Sequence, residues 1–355
     1  MRKITKGLCK IFLCLFVLQA GSQLFAAKKA SGKKNAMPEW VNMPSAVYPR
    51  EDYITYVGSA ADRNASEVNA LQGLAAVFGQ SVKSESTASS RMIQAKENGL
   101  VANANVQAFS QDVKRKVDID CLVGVETKEY WFDDNGTWYA IAVLDKAKAA
   151  DLYCEMIKKN ASAVTSVLKN AEKDLNSFDG FGAYDFAEAI AIENENHLKK
   201  LSVINQALVK DMEAYCPSSK SLHGKKMEIA KEIPIRIETV NDEMGRYKEA
   251  FSQAVAEAGF RGTIDDSARY VLLAKFEFER SDTSDKKTVR CRYNCESYIV
   301  DSKTNHQIVP FTIKGRESHV DYDEAKHKAE GAIISKIKGD FSKAFYDYIR
   351  SSVTE

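Results

Sequence analysis

The chain has 355 residues, of which 45% are hydrophobic and 28% are charged, and its formal net charge is +1. This length is too great for one ordinary core and favours two domains of about 100–200 residues each. The 50 basic and 49 acidic side chains are nearly balanced, which argues against general nucleic-acid binding, because that function needs a clustered basic face.

The first 27 residues have the pattern of a cleavable secretory signal. Four basic residues within the first ten positions precede an apolar run at 11–18, and small residues follow. As a helix that run spans about 12 Å, far short of the roughly 30 Å hydrocarbon layer of a membrane. It therefore predicts a signal peptide over residues 1–27 and not a membrane anchor. We expect cleavage after Ala26 or Ala27.

The cysteines near the signal do not fit a lipidation site, because small residues do not precede Cys9 or Cys14 as a lipobox requires. We therefore expect an unlipidated protein with five mature cysteines, an odd number that leaves at least one thiol unpaired. Three of the five lie on the apolar phase of strand-like alternation and are expected to be buried thiols. The five mature cysteines are Cys121, Cys154, Cys216, Cys291 and Cys295.

The first domain is predicted over residues 51–150, after an extended lead-in at 28–50. A β-rich strand at 53–57 is followed by a helix with its apolar residues on one face. Alternating apolar residues then predict a strand at 117–125. With the hairpin and the helix that follow, the predicted order is β-α-β-β-α.

The middle of the chain, residues 151–216, has helical patterns throughout. Gly180 and Gly182 interrupt it, which predicts two long helices arranged as a hairpin that links the domains.

The last domain is predicted over residues 217–355 with the order β-α-β-β-β-α. Its first strand is expected at 226–240, and Asn241 is expected to cap a helix that Gly259 ends. Together these patterns predict an α+β fold, in which two small antiparallel sheets with helices are joined by a long helical hairpin.

Two ordered motifs carry a family resemblance. They are Pro38-Glu39-Trp40-Val41 and Tyr56-Val57-Gly58-Ser59-Ala60, followed by an alanine-rich helix and by the stretch from Trp131 to Leu144. With these residues, the region from Pro38 to about Tyr153 resembles the LPP20 lipoprotein family of bacterial envelopes. The last third is similar to the α+β modules of flagellar outer-membrane ring proteins and TolB amino-terminal domains. The resemblance implies an envelope location and brings no catalytic residues.

The sequence contains no phosphate-binding loop, dinucleotide fingerprint, hydrolase elbow or zinc-protease motif, so no catalytic, cofactor-binding or metal-binding residue is assigned. One cluster near the C-terminus could hold a divalent metal in a hydrolase. The simpler interpretation is that its acidic residues complement the positive start of the last helix. The cluster comprises His319, Asp321, Asp323, Glu324 and His327.

Three further features have a functional and a structural interpretation. Trp131 and Trp138 could form an aromatic ligand platform, but aromatic residues at this density more often fill a core. The run 133–136 resembles the start of a calcium loop but lacks its later ligands, so a tight turn is preferred. Arg290 and Arg292 could contact an anionic partner, whereas a solvated face is the default.

We therefore expect an exported, non-catalytic cell-envelope protein that acts as a binding or assembly module in the periplasm or at the outer membrane. Envelope proteins are the expected partners, peripheral membrane association is compatible with the sequence, and neither a cofactor nor nucleic acid is expected. A flagellum-associated role is a narrower hypothesis. The alternatives are a secreted ligand-binding protein that uses the Trp131/Trp138 hairpin and a metal-dependent hydrolase at His319–His327.

Overall fold

The computed structural model describes residues 36–78, 122–282 and 287–351. The predicted signal peptide and its cleavage site lie outside these residues, as do Cys121 and the greater part of the strand predicted at 117–125. From Pro38 onward the chain is one compact unit. The domain boundaries near residues 150 and 216 stay predictions.

The predicted extended lead-in is wrong for residues 39–47, which form two single-turn helices. These are α1, Glu39–Asn42, and α2, Pro44–Val47. Pro44 occupies the first position of α2, where its fixed φ suits a helix and its missing N–H is not needed. Trp40 in α1 is only 2% exposed and packs with Trp131, Ile141 and Val143, so the first of these turns contributes a large side chain to the core.

The first sheet has three antiparallel strands in the order β1-β3-β2. The strands are β1, Tyr53–Ala60, β2, Val125–Phe132, and β3, Trp138–Asp145. Helix α3, Arg63–Ala76, begins at Asp62, whose carboxylate accepts from the N–H of Ala65 at 2.9 Å. The central strand β3 is buried on both faces, because α3 covers one face and Trp40 packs on the other.

The predicted tight turn between β2 and β3 is confirmed. Asp133 accepts from the N–H groups of Asn135 and Thr137 at 2.9 and 2.7 Å, and Gly136 adopts a φ of +87°, which glycine tolerates without strain. The aspartate at the start of this run therefore holds the turn.

The helical hairpin is also confirmed, with helix α4, Lys146–Ala171, packed on helix α5, Phe178–Ile204. The connection lies at residues 172–177, ahead of the two glycines, because Ser177 caps α5 by accepting from the N–H of Gly180 at 2.9 Å. A Cβ on Gly180 would lie 2.0 Å from the carbonyl oxygen of Leu175. This glycine therefore permits a close approach of the turn and does not break the helix.

The second sheet has five strands in the order β5-β4-β6-β7-β8. Helix α6, Gln206–Glu213, and helix α7, Ser219–Lys231, lead to β4, Pro234–Val240. Helix α8, Arg246–Glu257, follows, and then the remaining four strands. They are β5, Arg261–Thr263, β6, Tyr270–Asp282, β7, Val289–Asp301, and β8, His306–His319.

The α+β class is confirmed, but two details of the last domain are wrong. The strand expected at 226–240 begins only at Pro234, since α7 continues to Lys231. The sheet is mixed and not antiparallel, because β4 runs parallel to both β5 and β6. Helix α8 provides the long crossover that a parallel pair requires.

The expected cap at Asn241 is also wrong. Asn241 has a φ of +64°, and its side-chain amide donates to the carbonyl of Phe276 at 2.8 Å. The next residue, Asp242, accepts from the N–H groups of Tyr247 and Lys248 at 3.3 and 2.8 Å. Asp242, one position after the predicted cap, therefore accepts the hydrogen bonds of two backbone N–H groups in the first turn of α8.

Helix α9, Tyr322–Lys336, continues through a π-helical turn, Ile337–Phe341, into helix α10, Ser342–Ser351. Together with α8 these elements cover one face of the second sheet. The other face carries the polar side chains of β6, β7 and β8, and apart from the buried Val271 its residues are intermediate or exposed.

Candidate functional site

Of the two tryptophans of the hairpin, Trp131 lies in a core and Trp138 lies at its edge. Trp131 is 9% exposed and packs with Trp40, Ile141 and Val143 on the second face of the first sheet. Trp138 is half-buried, with its ring 5.0 Å from that of Phe132. Trp131 therefore contributes to folding and does not face a ligand on a concave surface.

An open cleft of about 520 Å³ lies where β1, β3 and the end of α5 meet, and the tryptophans do not line it. Hydrogen bonds join the segment before β1 to the start of α4: the Lys146 side chain donates to the backbone carbonyl of Arg50 at 2.7 Å, and the Lys146 backbone N–H donates to the backbone carbonyl of Asp52 at 2.9 Å. The cleft is therefore lined largely by polar groups, and the amine of Lys146 is already hydrogen-bonded to the backbone of Arg50. The lining residues are Glu51, Asp52, Tyr53, Asp145, Lys146, Ala147, Ile204 and Asn205.

The His319–His327 cluster is a helix cap. Asp321 accepts from the N–H groups of Asp323 and Glu324 at 2.6 and 3.3 Å, which starts α9. Nδ1 of His319 accepts from the N–H of Asp321 at 3.3 Å, and His327 lies 3.8 Å from Glu330. Within residues 36–78, 122–282 and 287–351, no group of three or more His, Cys, Asp or Glu side chains is arranged to hold a metal ion. The acidic residues of the cluster are therefore placed as the helix-capping interpretation predicts.

Both ends of the helical hairpin are anchored in a core. At the turn, Phe178 stacks on Tyr270 of β6 with 3.8 Å between ring centroids, and its edge contacts Phe260 and Phe345. At the other end, Tyr153 and Leu201 are fully buried in the core of the first sheet. The hairpin thus connects the cores of both sheets directly.

An arginine fork fixes the hairpin turn to the second sheet. Arg269 donates to both carboxylate oxygens of Asp301, at 2.9 and 2.8 Å, and to Asp174 at 2.9 Å. Lys303 lies 3.1 Å from the same Asp174. Bidentate pairs of this kind are directional and among the stronger hydrogen bonds of proteins, so they add orientation to the apolar contact of Phe178.

A second ion cluster lies between α5 and α7. The amine of Lys226 donates to Asp185 at 2.8 Å and to Glu188 at 2.6 Å, and it is 8% exposed. Burial alone would lower the pKa of Lys226, but the two carboxylates outweigh that effect and raise the pKa above its ordinary value. Arg350 of α10 lies 3.6 Å from Asp185, so the cluster joins the hairpin to the last helix.

These two ion clusters were not found from the sequence. Their partners are 32 to 165 positions apart, from Arg269 with Asp301 to Arg350 with Asp185, so no local motif marks them. One signal was present: Asp185 stands between the aromatic residues Tyr184 and Phe186 on a predicted helix, and a charge that is buried among such residues needs a partner.

The cations predicted on β7 form part of a larger surface. Arg290 and Arg292 project from the open face of the second sheet, and Arg316 and Lys314 of β8 lie opposite Arg292 and Asn294 in the register. All four side chains are exposed or half-buried, and none has a hydrogen bond or ion pair among the residues described. We call these four residues the basic edge. The sequence indicated its two arginines on β7 but not the two cations that β8 adds.

The cysteines of the described chain are free thiols. Cys291 and Cys295 are fully buried on the core face of β7, as predicted, and burial raises the pKa of Cys295 to about 12. Cys154 and Cys216 are half-buried, and burial raises the pKa of Cys216 to about 11. None of the four is therefore poised as a nucleophile.

No helix among the described residues is long and apolar enough to cross a membrane. No curated protein matches the chain. Among solved structures, a minor lipoprotein from Acinetobacter baumannii is 17% identical with a TM-score of 0.24, and the alignment covers 33% of this chain and 90% of that one. The secreted protein of Helicobacter pylori is 12% identical with a TM-score of 0.35, over 81% of this chain and 97% of that one.

The two motifs of the family resemblance have clear structural roles. Trp40 of the first motif closes the second face of the sheet. Gly58 of the second motif lies where α3 crosses β1, so that a Cβ would be 2.2 Å from the backbone nitrogen of Ala70. The family model described as LPP20 lipoprotein matches residues 38–145. The predicted resemblance is therefore confirmed: the part of this chain between residues 38 and 145 is similar to the LPP20 lipoprotein family.

Proposed function

We propose that this protein is an exported, non-catalytic component of the bacterial cell envelope that acts as a binding or assembly module. Its signal peptide is cleaved after Ala26 or Ala27, and no cysteine is lipidated. It works in the periplasm or at the outer membrane, where envelope proteins are its partners. The match of residues 38–145 to a lipoprotein family supports the envelope location.

The observation that carries the assembly role is the anchoring of the helical hairpin at both ends. A hairpin that served only as a linker would have solvated ends and would let the two sheets move independently. Here Phe178 and Phe181 at the turn are 2% and 3% exposed in the core of the second sheet, while Leu201 is fully buried in that of the first. A rigid connection suits a protein that presents two surfaces at a fixed separation.

The polar clusters support a non-catalytic role. The buried charges at Lys226 and Arg269 are each paired with carboxylates of other elements, and the acidic residues before α9 cap that helix. Each group thus has a structural task that explains its position. Assembly proteins need such groups for stability, whereas catalytic groups need access to a substrate.

The test is site-specific photo-crosslinking in living cells of the source bacterium. A photoreactive amino acid is placed at Val68, which is 48% exposed on α3, or at Ile264, which is 90% exposed after β5. We expect both positions to cross-link to envelope proteins, with at least one partner in common. Ile333, which is fully buried, is the control position and should give no intermolecular product.

The same samples report on export. Mass spectrometry of the purified chain should find an N-terminus at Ala27 or Lys28 without a lipid. A chain that retains its first 26 residues, or that cross-links to no envelope protein from either position, would overturn the proposed function.

A further inference from the structure

We propose that the free edge of β8 binds an extended acidic segment of a partner protein, which adds to the second sheet as a sixth strand. This inference rests on the proposed binding role and names the chemistry of the partner. Three observations support it. The outer side of β8 has no strand partner among the residues described, the basic edge lies beside it, and two acidic residues of β6, Glu277 and Glu279, lie on the far side of β7. We call these two residues the acidic column.

The first observation is the position of β8 at the end of the sheet. Among the residues described, β8 pairs only with β7, so its outer row of backbone N–H and C=O groups has no strand partner. Such a row is a template for another strand. A bulge between the pairs Ser297–Phe311 and Ile299–Ile308, with a φ of +52° at Val309, interrupts the strand near its start. The regular edge available for pairing is therefore residues 311–319.

The second observation is the order of charges across the open face. Arg292 of β7 pairs with Glu279 of β6 on one side and with Arg316 of β8 on the other. Two residues along, Asn294 of β7 pairs with Glu277 of β6 and with Lys314 of β8. The order from β6 to β8 is thus acidic, then basic or neutral, then basic. Opposite charges on adjacent strands stabilise a sheet, and like charges directly opposite destabilise it.

In this arrangement the positive charge of Arg316 is not balanced by an acidic side chain on β7 at its own position in the register. The neighbouring Arg292 repels Arg316, and Glu279 lies on the far side of Arg292. A glutamate or aspartate on an added strand would lie beside Arg316 on the open side, and an acidic residue two positions along that strand would lie beside Lys314. A strand with alternate acidic residues therefore completes the charge order as well as the backbone ladder.

The charges argue against two other occupants. Pairing of β8 with β8 of a second copy would bring Lys314 and Arg316 close to the same cations of the partner, which like-charge repulsion opposes. A flat anionic membrane would meet Glu279 and the ion pair of Glu277 with Lys275 together with the basic edge, because all of them project from one face of the sheet. An acidic strand at the edge contacts the cations without covering the acidic column.

The test is titration of the full-length mature protein with a fluorescent synthetic peptide of about nine residues that alternates glutamate with threonine. We expect saturable binding that weakens with salt, and slower hydrogen exchange of the amides in residues 311–319. The double variant Lys314→Glu/Arg316→Glu should bind at least about tenfold more weakly. The control variant Lys328→Glu/Lys338→Glu makes the same charge change at exposed positions on the helical side and should bind like the wild type.

Two matched peptides separate strand addition from simple charge attraction. A peptide with lysine in place of glutamate should not bind. A glutamate peptide methylated on alternate backbone nitrogens keeps its charge but cannot pair along its blocked edge, and it should lose most of the affinity.

The inference is overturned if the methylated peptide binds as well as the original, or if the charge-reversed variant binds the peptide unchanged. Binding to phosphatidylglycerol vesicles without peptide binding would overturn it in favour of a membrane. Concentration-dependent dimers that the reversed variant strengthens would overturn it in favour of self-association. If these results occur while Val68 and Ile264 still cross-link to envelope proteins, the inference fails and the proposed function stands.

Discussion

At the scale of single residues, Asp301 holds two parts of the chain together with one carboxylate. Both oxygens accept from Arg269, and Oδ1 also accepts from the backbone N–H of Lys303 at 2.9 Å. Burial alone would raise the pKa of Asp301, but the hydrogen bonds from Arg269 and the backbone outweigh it and lower the pKa below its ordinary value of 3.8. The folded state therefore favours the charged carboxylate.

We expect Asp301→Asn to lower the free energy of unfolding at pH 7 by about 1.5–3 kcal/mol, because the fork loses its charge-assisted bonds. The folded-state pKa lies below the unfolded one, so this stabilisation is complete above the unfolded pKa and is lost as the pH falls through the folded pKa. The difference between wild type and variant should thus shrink as the pH is lowered from about 5 toward 2. Urea unfolding followed by circular dichroism at several pH values measures it.

Asp282→Asn is the control, since that carboxylate is 72% exposed and its loss should change stability by less than about 0.5 kcal/mol. A difference between wild type and Asp301→Asn that stays constant from neutral to acid pH would contradict the expectation.

The residue patterns that repeat locally could be predicted, and those that join distant positions could not. Alternation along one strand was enough to place Cys291 and Cys295 in the core, because burial of one sheet face has a period of two residues. The pairing of Lys226 with Asp185 spans 41 positions. Its geometry depends on how two helices pack, which a single sequence does not encode locally.

At the scale of elements, the contact of α3 with β1 depends on a missing side chain. A Cβ on Gly58 would lie 2.2 Å from the nitrogen of Ala70 and 2.4 Å from the carbonyl oxygen of Ser66. Both of these atoms belong to the backbone of α3 and cannot rotate away. The helix can therefore rest on the strand only while position 58 is glycine.

We expect Gly58→Ala to lower the free energy of unfolding by about 3 kcal/mol, at the upper end of the usual cost of overpacking. Gly331→Ala is the matched control in α9, where no atom lies within 4 Å of the added Cβ. It should raise stability by about 0.5–1 kcal/mol, because alanine favours a helix more than glycine does. Urea unfolding of both variants measures the two changes. If Gly58→Ala is as stable as the wild type, α3 can move away from β1 at little cost, and the expectation is wrong.

Helices and strands could be predicted where a hydrophobic period continues over many residues. They could not be predicted where a short segment fits both the helical and the strand period. The hairpin helices and the β-hairpin with its turn were found because each has a sustained pattern. The 226–240 segment was misassigned because its apolar residues fit both periods: helix α7 continues to Lys231, and β4 begins only at Pro234. The parallel direction of β4 depends on the crossover through α8, which only the tertiary fold reveals.

At the scale of the whole molecule, the apolar contact at the hairpin turn decides whether the two sheets keep one separation. Phe178→Ala removes the ring that stacks on Tyr270 and should cost about 3–5 kcal/mol of stability. Spin labels on noncanonical amino acids at Val68 and Ile264 should give one narrow distance distribution in the wild type and a broader one in the variant. Val203→Ala on the same helix, at a position 43% exposed, should leave the distribution narrow; a broad distribution in the wild type would contradict a rigid connection.

The place of β3 at the centre of the first sheet has a consequence for the timing of folding. Every residue of β1 pairs with β3, from Tyr53 with Asp145 to Ala60 with Trp138, and Trp40 packs on Ile141 and Val143 of the same strand. The paired residues are 78 to 92 positions apart, from Ala60 with Trp138 to Tyr53 with Asp145, so a chain made from its N-terminus must release all of β3 before β1 can pair along its full length. Contacts this distant along the chain form slowly. The growing chain thus keeps Trp40 and β1 without their partner until β3 emerges, and exposed apolar side chains and unpaired strand edges favour aggregation in that interval.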